Sequence, residues 1–219
     1  MQMNSTRLFL MACLALLSIL AVAVLMNPSS LENQTASASG IDLEALEHMQ
    51  SPSLGPREAK VVITEFLDPA CGTCRVFYPF VKGLMDEHTN QIRLVVRFLA
   101  LHEGSDQVVA LLLAARRQDK LWPTLETVLK TQRQWAIRHV ADVNKLLPLL
   151  GGLGLDLQKL QVDMNSSAVL DLIKQDRSDA SKLKVYKTPG FFVNGKPLVE
   201  FGYEQLKSLV ETELESESQ

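Results

Sequence analysis

Residues 65–74 read Glu65-Phe66-Leu67-Asp68-Pro69-Ala70-Cys71-Gly72-Thr73-Cys74, and the rest of the chain is organised around them. The run Val61-Val62-Ile63-Thr64 before them is apolar and β-branched, which predicts a buried strand. After them Val76, Phe77, Phe80, Val81 and Leu84 recur at helical spacing. The two cysteines therefore fall on a strand-to-helix turn, with Cys71 at the helix N-terminus. Unpaired backbone N–H groups and the positive end of the helix dipole stabilise a thiolate there, and the thiolate is the reactive form of cysteine. Cys74, one turn further on, is positioned to attack a mixed disulfide formed at Cys71. A C-x-x-C is also half of a common zinc site. The other half is missing, because the only further cysteine, Cys13, lies in an N-terminal apolar run.

The chain is 47% hydrophobic and 21% charged with a formal net charge of −3, the composition of an ordinary globular protein. Nothing in it gives a basic nucleic-acid-binding surface. Residues 8–26 carry no charge and are long enough to cross a bilayer as a helix. Residues 1–26 thus read either as an uncleaved membrane anchor or as a signal peptide. The best small-x-small cleavage triplet, Ala36-Ser37-Ala38, lies well downstream of the apolar run, which favours the anchor. Arg7 is the only charged side chain before the run, so that end stays cytoplasmic and the rest is exported under either reading. Residues 27–56 read as a linker, rich in Ser, Asn and Ala, with a short helix at 41–49 and a Pro/Gly loop at 51–56.

Residues 57–219 form the folded domain. A second strand at 92–99 completes a β-α-β unit, which requires a parallel pair and a right-handed crossover. From about 104 to 184 the pattern is helical. Residues 108–115 are apolar nearly all round, as in a buried helix, and Leu121, Leu125, Val128 and Leu129 make a stripe. Ile137, Val140, Leu147 and Leu150 make another, which predicts a helix through 135–150 carrying His139 as a surface or core-edge residue. Trp122 and Trp135 read as packing residues. Phe191-Phe192-Val193 and Pro197-Leu198-Val199 flank Asn194-Gly195, a strong hairpin signal, and a last helix carries Leu206, Leu209, Val210 and Leu214. The class is α/β, with a helical subdomain inserted into the sheet topology. His48, His88, His102 and His139 are scattered, and none lies near the cysteines in sequence.

Over 61–214 this arrangement resembles the DsbA-like branch of the thioredoxin-fold superfamily of thiol–disulfide oxidoreductases. Four features carry the resemblance: Cys71-Gly72-Thr73-Cys74 at the turn, Pro79 in the following helix, Glu65 before the cysteines, and Thr188-Pro189-Gly190-Phe191-Phe192-Val193-Asn194-Gly195. It implies a thioredoxin fold with an inserted helical subdomain, a cis Thr188–Pro189 bond facing the cysteines, and Glu65 as a buried acid beneath them. It also implies a redox disulfide between Cys71 and Cys74 as the only redox group, with no other cofactor and no metal. Cys71 would be the nucleophile and Cys74 the resolving thiol, with Glu65 relaying a proton to or from Cys74. Thr188 and Pro189 would pair with an extended client chain. Clients would be cysteine-bearing exported proteins at the periplasm or the extracytoplasmic membrane face, and a membrane redox partner would restore the pair. Gly72-Thr73 replaces the Pro-His often found in oxidising members, and Gly190 is unusual for the client-contacting loop. The expected activity is a disulfide oxidase. A reductase or isomerase of the same fold, a Cu(I)-handling module and a redox-silent partner-binding protein are the alternatives; no isomerase-type dimerisation domain fits between 27 and 56.

Overall fold

The computed structural model describes residues 41–216. The apolar run at 8–26, Cys13 and Ala36-Ser37-Ala38 lie outside them. Among the described residues no helix is long and apolar enough to cross a membrane.

A five-stranded sheet of order β1-β3-β2-β6-β7 sets the frame. β2 (Val61–Leu67) is its central strand. It pairs in parallel with β3 (Ile92–Phe98), Val61 opposite Ile92 through Leu67 opposite Phe98. On its other side it pairs antiparallel with β6 (Gly190–Val193), where Glu65 faces Phe191 and Phe66 faces Gly190. Asn194 and Gly195, both at positive φ, turn β6 into β7 (Lys196–Pro197), as an Asn-Gly hairpin requires. The helix that follows β2, α2 (Gly72–Glu87), closes the parallel unit, and Pro79 sits inside it. The last helix, α8 (Tyr203–Ser216), packs on β2 and β6.

Every residue of β2 but Val62 is buried, so the inside/outside alternation of a one-sided strand is absent. Thr64 and Glu65 are therefore both in the interior, although adjacent strand residues point to opposite faces. β3 shows the same pattern, and it carries Arg97 inside at 0% exposure. That guanidinium is matched by two carboxylates of α7 (Ser167–Lys182): Nε donates to Asp176 at 2.8 Å and an Nη to Asp179 at 2.7 Å.

Residues 42–56, read as linker, belong to the domain, whose compact unit begins at Asp42. The expected helix is shorter than 41–49, only α1 (Leu43–Leu46), capped by the Asp42 side chain. Ser53–Leu54 is not loop but strand β1, antiparallel to β3. Charge draws this segment in: Arg97 donates to the Ala45 carbonyl, and Arg93 forms a two-pronged pair with Glu47.

The inserted region holds α3 (Ser105–Arg116), α4 (Leu121–Trp135), α5 (Val143–Leu146), a 3-10 turn (Leu147–Leu150), α6 (Leu157–Met164) and α7. Residues 108–115 of α3 are all buried, in line with their unbroken apolar run. A helix through 135–150 does not form. α4 stops at Trp135, and Ala136–Ile137 pairs with Val140–Ala141 as the small hairpin β4–β5. Arg138 and His139 take positive φ at its tip, and the Asp142 carboxylate caps the start of α5. The apolar spacing across 137–150 was that of a hairpin followed by a short helix, not of one helix.

Candidate active site

Cys71 is the N-cap of α2, in extended backbone (φ −74°, ψ 121°), with its N–H bonded to the Asp68 carbonyl at 3.0 Å. No side chain caps the helix, so the free N–H groups of its first turn face the sulfur. The Cys71 pKa falls from 9.0 to about 5. The leading cause is a hydrogen bond from the Cys74 thiol, and the backbone N–H groups of Cys74 and Thr73 and the Thr188 side chain add to it against the cost of burial. In the thiol form, Cys71 Sγ donates to the Thr188 carbonyl at 3.2 Å. Cys74 is wholly enclosed, and burial pushes its thiol well above the ordinary value, helped by the nearby Glu65 carboxylate. Both cysteines are free thiols in this structure.

Glu65 lies at 0% exposure, and neither carboxylate oxygen has a hydrogen-bond partner among the described residues. Desolvation is the main reason its pKa rises from 4.5 to about 8, with the Cys71 thiolate contributing. An ionised carboxylate without partners is costly in such a place, so below that pH the group stays protonated.

Pro189 follows a cis peptide bond from Thr188, and the carbonyl before that bond is the one that meets Cys71. Gly190 is explained by crowding. A Cβ there would come within 2.7 Å of a Val185 methyl, so the loop leading into the proline leaves room only for hydrogen.

Cys71, Thr73, Arg75, His102, His139 and Thr188 are among the residues lining one open groove of about 720 Å³. The structure thus brings together Glu65, Cys71, Cys74, Thr188 and Pro189, which lie up to 124 residues apart in sequence (189 − 65). It also adds residues that the sequence reading passed over. Gln132, buried on α4, donates its amide N–H groups to the carbonyls of Pro69 at 2.8 Å and Cys71 at 2.9 Å. Its amide oxygen accepts from Arg75 at 3.2 Å, so the helical insertion holds the cysteine turn directly. Asp68, also buried, accepts the N–H groups of Ala70, Leu101 and His102 and the ring of His102. His102 stacks on His139, their centroids 5.0 Å apart, at the wall of the cysteine groove. No local sequence pattern marked the first two. Nothing local marked the histidines. Among the described residues no cluster of three or more metal-ligating side chains gathers, so an ion at the pair would have two thiolates.

The model of the family described as Thioredoxin matches residues 47–212. The chain belongs to the thioredoxin family. A thioredoxin-like oxidoreductase from Silicibacter pomeroyi DSS-3 superposes with a TM-score of 0.68 at 31% identity, covering 78% of this chain and 96% of that one. A probable disulfide bond formation protein D from Bacillus anthracis is 24% identical over 183 residues, 78% of this chain and 82% of its own length. A Na(+)/H(+) antiporter NhaA from Herminiimonas arsenicoxydans is 28% identical over 144 residues, 66% of this chain. The matched part is 22% of that antiporter's length. With relatives named as oxidoreductases, this protein is a thiol–disulfide oxidoreductase.

Proposed function

We propose that this oxidoreductase is exported and acts as a disulfide oxidase on cysteine-bearing client proteins of the periplasm or another extracytoplasmic space. The observation that carries the direction is the opposed acidity of its two thiols. Cys71 is held as a thiolate down to about pH 5, while Cys74 is kept protonated. Stabilising the reduced pair in this way raises its reduction potential, which makes the oxidised form a better oxidant. The uncharged run at 8–26, long enough to cross a bilayer, supports export.

In the oxidised state a client thiolate attacks Cys71 Sγ. A client–Cys71 disulfide forms, the Cys71–Cys74 bond breaks, and its electron pair leaves on Cys74. Cys74 has the higher pKa, so it draws a proton, and protonated Glu65 is the acid enclosed with it. A second client thiolate then attacks the client sulfur, and Cys71 departs as a stable thiolate. Thr188 and Pro189 flank the sulfur that the client meets, and would hold the client backbone there. The client leaves oxidised by two electrons, and an electron acceptor, a membrane redox partner in this reading, must restore the disulfide. The test is stoichiometric: oxidised protein mixed with a reduced two-cysteine peptide should yield oxidised peptide and reduced protein in equal amounts. Peptide left reduced at equilibrium would instead indicate a reductase.

A further inference from the structure

His102 is held at the cysteine groove by a carboxylate that solvent does not reach. Asp68 is 0% exposed, and one of its oxygens accepts from His102 Nδ1 at 2.7 Å and from the N–H groups of Leu101 and His102 at 2.7 and 3.0 Å. The other oxygen accepts from Ala70 N–H at 2.8 Å and from the Ser105 hydroxyl. A carboxylate fed by this many donors acts as acceptor only, so His102 Nδ1 carries the hydrogen. The neutral ring then has its lone pair on Nε2, which has no hydrogen-bond partner among the described residues. The ring stacks on His139, 22° from parallel, and both line the groove that holds Cys71.

Cys71 does not need this base, because its thiolate is already stabilised. The sulfur that lacks one is the client's. An ordinary thiol has a pKa of about 8.5, so only a few per cent of it is thiolate at neutral pH. We propose that His102, oriented by Asp68, takes the proton from the client thiol as that sulfur attacks Cys71. The S–H bond breaks and its proton moves to Nε2. The client S–Cys71 bond forms, the Cys71–Cys74 bond breaks, and the electron pair leaves on Cys74. In the reverse direction the imidazolium returns the proton to the departing client sulfur, so the role holds whichever way electrons flow. It rests on the oxidoreductase reading. The charged and titratable groups around the ring are Asp68 and His139 against it and Cys71, Arg75, Tyr186, Lys187 and Tyr203 in the groove. On its other flank are Glu103, Asp106 and Arg177.

The experiment is single-turnover exchange of the oxidised full chain with two reduced thiols across pH 5.5–9 (about the span from imidazole to thiol ionisation). One is a cysteine peptide of ordinary acidity and the other an aromatic thiol already ionised over that range. The H102N variant keeps an N–H to donate to Asp68 but has no group that titrates. With the cysteine peptide, the wild-type rate should not show the roughly tenfold-per-pH-unit rise of unassisted thiolate attack. H102N should be slower at pH 7, by up to about thirtyfold, and gain about tenfold per pH unit towards wild type until the peptide thiol ionises. With the ionised thiol the two should be equal, and the Cys71 thiolate absorbance unchanged. Equal peptide rates for both proteins would overturn the proposal, as would equal slowing with both thiols, which marks a structural role. Wild type alone also decides it: a peptide rate that simply tracks the thiolate fraction across the whole range means no base assists. A wild type inert to both thiols would instead overturn the oxidoreductase reading beneath it.

Discussion

At the residue scale, the redox pair works by asymmetry, and each part of that asymmetry has its own test. Cys71→Ser should abolish peptide disulfide exchange. Cys74→Ser should leave Cys71 able to attack but unable to be released, so mixed disulfides with clients accumulate on non-reducing gels. Trapping by Cys71→Ser would reverse the two roles. Glu65 makes a stability prediction with a definite sign. Its folded pKa, about 8, is above the unfolded 4.5, so the folded protein binds more protons between those values. Stability therefore falls as pH rises from 4.5 towards 8, by a few kcal/mol at most for a group so buried. Glu65→Gln should flatten that slope in denaturant melts of the oxidised protein while slowing release of Cys74. A slope unchanged by the substitution would remove Glu65 as the buried acid. Cys71 and Cys74 were legible because a strand, a turn and a helix run through them consecutively, whereas Glu65 was legible only through the family resemblance. Asp68 and His102 were not, because a carboxylate and an imidazole 34 residues apart meet only when the turn after β2 and the loop after β3 lie side by side.

At the scale of elements, the parallel β2–α2–β3 unit and the Asn194-Gly195 hairpin followed directly from apolar periodicity and turn chemistry. The β4–β5 hairpin did not, since residues 137 and 140 fit a helical stripe and a two-residue strand equally well. Its position matters for the site. Gly104, at φ 73°, lies so close to this hairpin that a Cβ there would come within 2.4 Å of the Ala141 carbonyl. Gly104→Ala should push the hairpin and His139 away from His102 and destabilise the protein by roughly 1–3 kcal/mol, the usual cost of such backbone strain. Thermal melts and the His139 ring resonances check this, and an unmoved hairpin would contradict it. Gln132 tests the link from the insertion to the chemistry. Gln132→Leu removes the side-chain donor to the Pro69 carbonyl and one of the two donors to the Cys71 carbonyl, which keeps the Arg75 N–H at 3.2 Å, at a cost of about 1–3 kcal/mol. The cysteine turn should loosen and the Cys71 pKa rise, read by thiolate absorbance. A variant that loses stability with the Cys71 titration unmoved would make Gln132 a purely structural clamp.

At the scale of the molecule, the central strands β2 and β3 are buried on both faces, and this is why adjacent Thr64 and Glu65, and the charged Arg97, could not be assigned from alternation alone. The same enclosure ties redox state to stability. Cys71 has a folded pKa of about 5, below its ordinary 9.0, so in the reduced protein it contributes stability that is full above pH 9 and lost as pH falls through 5. The oxidised protein has no such thiolate. The stability difference, reduced minus oxidised, should therefore grow from pH 5 to pH 9, and melts of both forms would show it. The most direct test of the account is the equilibrium of the Cys71–Cys74 pair with glutathione at pH 7. A stabilised thiolate predicts a potential above the reductant value of about −270 mV; without a histidine between the cysteines, it should be short of the strong oxidant value of about −120 mV. A potential at or below about −270 mV would contradict the oxidase reading and make the protein a reductase.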